Sequence, residues 1–150
     1  MHDITALERK YFPMISTITN QNPLVYSCSG CSSAAQMANY LALQLDRKGI
    51  AEMSCVAGLG GNVKSIVRTA LSGRKVIAID GCPLACSKAC LGNHSLQPDY
   101  YFELSVFNVK KRGHQDFDKQ EADAISVLIQ QQIKSFEKTP HPLFNDQKIK

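Results

Sequence analysis

Leu24-Val-Tyr-Ser-Cys28, Ala51-Glu-Met-Ser-Cys55 and Val76-Ile-Ala-Ile-Asp-Gly-Cys82 are three short, mostly apolar runs, each closed by a cysteine and recurring every 27 residues. Runs of this length bounded by turn residues read as strands. The segments between them have a helical period. Ala34, Ala38, Leu41 and Leu45 form one stripe from about Ser32 to Gly49. Val63, Ile66, Val67, Ala70 and Leu71 form a second, opened by Asn62 and closed near Gly73. Strand–helix alternation predicts an α/β fold: three layers, with a mainly parallel four-stranded, Rossmann-like sheet between helices. The spacing of 27 is then the length of one strand–helix unit, since the units differ outside their cysteine ends. Right-handed crossovers bring all strand C-termini to one edge, so the predicted cysteine site lies at the C-terminal strand edge.

Outward from these runs, Pro83 is expected in the first turn of a helix carrying Cys86 and Cys90. Tyr100–Val109 reads as the fourth strand, its aromatic residues packing in the core, and Lys110–Gly113 as a solvated turn. Asp118-Lys-Gln-Glu121 has capping-box spacing and opens a last helix with Ala122, Ile125, Ile129, Ile133 and Phe136 on one face. Three segments follow: an N-terminal arm over 1–22, an α/β domain over 23–138 and a C-terminal tail over 139–150.

The chain has 150 residues, is 44% hydrophobic and 20% charged, and carries a net charge of +4. That suits one globular domain with a core of its own, so cysteines are not needed as folding staples. The mild, scattered positive charge gives no expectation of nucleic-acid binding. No apolar stretch approaches the ~20 residues of a membrane span, and the N-terminus lacks the pattern of a secretory signal. A cytoplasmic location is expected. Six cysteines in such a chain point to metal or thiol chemistry.

Cys28-Ser-Gly-Cys31 has the spacing with which two thiolates bind one metal, with Gly30 supplying the turn. Cys82-Pro-Leu-Ala-Cys86 offers a second pair. Together they suit a tetrahedral thiolate site with Zn–S bonds of about 2.3 Å. Cys55 is an alternative ligand. Cys90, a turn beyond Cys86, either joins the cluster or faces the core. The same thiols suit a thiol oxidoreductase or sulfur-transfer protein using Cys28, Cys31 and Cys82, or an iron–sulfur protein, though the spacings are not those of a ferredoxin. Around this set, Asp80 either orients a ligand or caps the following helix, Gln36 is placed to point back at the edge, and His94 lies in a nearby loop. Gly58-Leu-Gly-Gly61-Asn62 reads as a tight turn whose backbone could cradle a small anion, but it matches no nucleotide-binding fingerprint.

Cys28-Ser-Gly-Cys31-Ser, Met53-Ser-Cys55-Val-Ala-Gly-Leu-Gly-Gly61 and Asp80-Gly-Cys82-Pro-Leu-Ala-Cys86 together resemble the DGC-domain family, described as zinc-binding. The resemblance runs from Leu24 to the final helix. It implies zinc as cofactor, with Cys28, Cys31, Cys82 and Cys86 as ligands and Cys55 as a rival fourth. It implies no particular reaction. An unidentified small molecule or protein partner is expected, or a second copy of the chain in a homodimer; if the chain is an interaction module in which zinc fixes the binding loops, the Met1–Asn22 arm is the expected contact.

Overall fold

Four strands and five helices are built in the computed structural model, which describes residues 22–138. The strands are β1 (Leu24–Ser27), β2 (Glu52–Met53), β3 (Val76–Asp80) and β4 (Tyr100–Glu103). They form one sheet in the order β2-β1-β3-β4, with every neighbouring pair parallel. The helices are α1 (Ser33–Arg47), α2 (Val56–Gly60), α3 (Lys64–Ala70), α4 (Cys86–Gly92) and α5 (Lys119–Lys138).

Every residue of β1 and β3 is buried, as a parallel strand covered on both faces requires. The period-two alternation divides their side chains between two cores. Val25, Ile77, Ile79 and Phe102 pack beneath α1 and α5 with Met37, Leu41, Ile125, Ile129 and Ile133. Leu24, Tyr26, Val76 and Ala78 face the other way, onto Leu59, Ala70 and Leu91 of α2, α3 and α4. The result is the expected three-layer α/β architecture. The chain leaves α1 through Gly49, two residues past Arg47, at a φ of +67° that suits that position.

Several local expectations change. The second strand is two residues long because Ser54 and Cys55 turn away to start α2. The glycine-rich stretch is helical, not an open turn. Glycine is used there for close packing: a Cβ on Gly58 would come within 2.9 Å of Ile66, and one on Gly60 within 3.1 Å of the Cys90 sulfur. Asn62 is left-handed at φ +58° and does not cap α3, which begins after Val63. On α3 only Ala70 is buried, and Val63 and Leu71 lie about half exposed. β4 stops at Glu103 and tightens into a 3-10 turn, Leu104–Phe107, closed by a left-handed Asn108. On α5, Phe136 is exposed, although its ring stacks on Tyr100 at 5.4 Å. No helix among the described residues is long and apolar enough to cross a membrane. Most of the expected arm and all of the expected tail lie outside the described residues.

Candidate metal centre

The sheet order places β1 between β2 and β3. The chain leaves β1 through α1 toward β2 on one side, whereas β3 flanks β1 on the other. The carboxyl ends of β1 and β3 therefore border the crevice where parallel α/β sheets form their sites. Cys28 follows β1 directly, and its amide extends the ladder by donating to the Ile79 carbonyl at 3.0 Å. Asp80-Gly-Cys82 closes β3 at the same level.

Each residue of that tripeptide has its own task. Asp80 is fully buried, and its carboxylate accepts the amides of Ser87 at 2.8 Å and Lys88 at 3.2 Å. These are orphan donors at the start of α4, so Asp80 caps that helix from a distance in sequence and fixes where Cys86 emerges. Gly81 is required by space. A Cβ there would lie 2.6 Å from the backbone carbonyl carbon and oxygen of Ala34, because α1 passes directly across the strand end. The Gly81 amide also donates to the Cys28 sulfur at 3.1 Å. Cys82, half-buried, carries the thiol, and the Lys111 ammonium donates to it at 3.6 Å.

Cys28 is 7% exposed. Burial pushes its thiol up to about 11, opposed by the Gly81 amide and reinforced by Asp80, Cys86 and Cys82. The Gly81 contact sets the Cys28 sulfur beside the residue that precedes Cys82. Cys90 is also raised, first by burial and then by Cys86 and Asp80. It lies one helical turn beyond Cys86, half-buried against Gly60. The Tyr101 phenol beside Asp80 is raised by burial and by that carboxylate.

Helix α4 starts at Cys86, after a left-handed Ala85, not at Pro83. Cys82 therefore does not cap it, and Cys86 stands in its first turn, exposed. Cys31 is exposed on the loop before α1, whose N-cap Ser32 accepts the Ala35 amide at 3.3 Å. Gln36 does point back, donating to the Gly30 carbonyl. Gly30 itself is not left-handed, and a Cβ there would meet only the Ala35 Cβ, at 3.6 Å. Steric necessity falls on Gly81 instead.

Cys55 is exposed two residues past β2, on the far side of β1. Its sulfur accepts the Gly58 amide at 3.3 Å and caps α2. His94 is tied to the Leu59 carbonyl at 2.9 Å, bracing α4 against α2. The sequence reading missed Lys111. Its Lys110-Lys-Arg112 run is exposed, as a solvated turn would be, but it is also clamped to α1 through Ser33.

The donor set suits a thiophilic metal, since soft thiolates select zinc, copper(I) and iron–sulfur clusters. Among the described residues, no three His, Cys, Asp or Glu side chains converge as metal ligands. Of the four expected ligands, Cys28 and Cys82 follow the ends of β1 and β3, whereas Cys31 and Cys86 are exposed, on a loop and in a first helical turn.

A parallel α/β domain with a cysteine following each of the two strands at its strand-order reversal defines the class of protein. The chain belongs to the DGC domain family, whose match covers residues 24–129. It is 52% identical over 108 residues to the anaerobic and virulence modulator AnvM of Pseudomonas aeruginosa (strain PAO1), a match covering 72% of this chain and 82% of that protein. No solved structure matches it.

Proposed function

We propose that the chain is a zinc-binding regulatory protein that holds the metal with Cys28, Cys31, Cys82 and Cys86 and changes its interaction with a protein partner when the metal is bound. The observation that carries this reading is at the β1–β3 crevice, where the Cys28 sulfur accepts the amide of Gly81, the residue before Cys82, at 3.1 Å, and the Asp80 carboxylate caps the helix that Cys86 opens. Bound zinc would supply a fixed cross-link among strand ends, loop and helix start. Four thiolates saturate zinc, so the reading assigns it no reaction. Cys28 and Cys82 anchor the site from the sheet, while Cys31 and Cys86 are free to close on the metal. Leu84, 70% exposed, is carried on the loop between two of these ligands, where metal binding would reposition it for a partner. The modulator role named for the Pseudomonas relative agrees with a regulatory part.

A thiol oxidoreductase in which Cys28 attacks is less well supported, because a buried thiol held up to about 11 is a weak nucleophile near neutral pH. The test is zinc affinity in wild-type protein and in Cys82→Ser. The expected result is one zinc per chain in the wild type and at least a tenfold weaker site in the variant, in line with losing one of four ligands. Equal zinc content and affinity in the two proteins would refute the assignment, and iron with acid-labile sulfide would favour a cluster.

A further inference from the structure

The segment after the 3-10 turn crosses the start of α1 as a strap. Ser33 clamps it on both sides of Lys111. The Ser33 amide donates to the Arg112 carbonyl at 2.8 Å, the Arg112 amide donates to the Ser33 hydroxyl oxygen at 3.1 Å, and that hydroxyl donates to the Lys110 carbonyl at 3.2 Å. Ser33 is itself buried, 5% exposed. With Lys110 and Arg112 both fixed to α1, Lys111 is held between them and reaches the Cys82 sulfur. This contact joins residues 29 apart in sequence; the Cys82 carbonyl accepts the Ala85 amide at 3.1 Å, and Lys111 lies between the two residues that Ser33 holds.

We propose that Lys111 is the positioning cation of the thiol site, held over Cys82 by the Ser33-clamped strap so that this sulfur meets anionic partners in preference to neutral ones. A tetrathiolate around a divalent metal has a net charge of −2, and a fixed ammonium beside one sulfur offsets part of it. A ligand that exchanges at Cys82 would meet the same positive field, so the favoured class is small anions, including anionic thiols. The metal-charge part rests on the zinc reading; the anion preference does not.

The experiment uses the full chain in two arms. In the first, metal-free protein is alkylated with iodoacetate and with iodoacetamide, and modification of Cys82 is followed by peptide mass spectrometry. The ratio of the two rates cancels the fraction of sulfur that is ionised and leaves the effect of reagent charge. Lys111→Gln is expected to lower the iodoacetate-to-iodoacetamide ratio about threefold to fivefold, the scale of an exposed charged contact. Lys111→Arg should preserve it. Ser33→Ala, which loosens the strap but keeps the lysine, should fall between. Rising salt should erase the wild-type preference.

In the second arm, zinc affinity is measured by competition with a chromophoric chelator. Lys111→Gln should weaken it by a similar factor, with Lys111→Arg unchanged. An alkylation ratio that is the same in wild type and Lys111→Gln would overturn the proposal. If wild-type protein binds no zinc, the zinc reading fails, and the alkylation arm alone decides the role of Lys111. Because Lys111 is exposed, neither substitution at that position threatens the fold.

Discussion

At the scale of the residue, the Asp-Gly-Cys tripeptide separates into a cap, a space and a thiol. The space is the most demanding of the three. Backbone atoms of Ala34 lie where a Gly81 side chain would go, and neither the strand end nor the helix start can yield without disturbing both cores. Gly81→Ala is therefore expected to destabilise the protein by about 1–3 kcal/mol, as overpacking does, or to displace α1. Urea unfolding should show it, and Gly30→Ala, whose Cβ finds ordinary room, should cost far less. Cys28 gives a second prediction. Its folded thiol is raised from 9.0 to about 11, so the native state holds its proton where the unfolded chain releases it. Stability from this group is complete below pH about 9 and is lost as pH rises toward 11, by an amount on the order of 2 kcal/mol. The stability of metal-free protein should fall across that window, and less so in Cys28→Ala. An identical pH profile in the two proteins would mean that Cys28 is not held protonated by the fold.

At the scale of the element, the long amphipathic helices follow directly from their periodicity. α1 runs from Ser33 to Arg47 with Ala34, Ala38, Leu41 and Leu45 buried, and α5 buries Ala122, Ile125, Ile129 and Ile133. Half of the expected capping box forms: the Asp118 carboxylate accepts the Glu121 amide at 2.9 Å. Ile129 is 1% exposed in the core beneath the sheet, so Ile129→Ala should cost about 2–5 kcal/mol in denaturant unfolding. A loss no larger than that of the half-exposed Leu128→Ala would contradict the packing of α5. The short elements were less legible, for a physical reason. α2 has five residues, three of them apolar and two glycine, a composition that reads as a turn. It is helical because Cys55 caps it and because Gly58 and Gly60 let it lie against α3 and α4. Ala85 makes the same point: its left-handed backbone delays α4 to Cys86, although Pro83 is an ordinary helix-starting signal.

At the scale of the molecule, the parallel sheet and its cysteine edge could be read from the strand–helix rhythm, because crossover handedness alone sends Cys28, Cys55 and Cys82 to one side. The strand order could not, since it is fixed by which faces bury each other. It is this order that separates the thiols: β3 joins β1 at the crevice, whereas β2 carries Cys55 to the outer edge, where its sulfur caps a helix. Lys111 was out of reach of the sequence for the same reason, because its contact with Cys82 depends on a strap that pairs with α1 across 79 residues. The Lys110-Lys-Arg112 run shows only charge; the clamp gives that charge a place.

Whether the edge thiols hold one metal is decided by elemental analysis of purified native protein combined with free-thiol counting. One zinc per chain is expected, with Cys28, Cys31, Cys82 and Cys86 masked, while exposed Cys55 reacts quickly and half-buried Cys90 slowly in the native protein. Six titratable thiols with no bound metal, or zinc retained when Cys82 is replaced by serine, would contradict it.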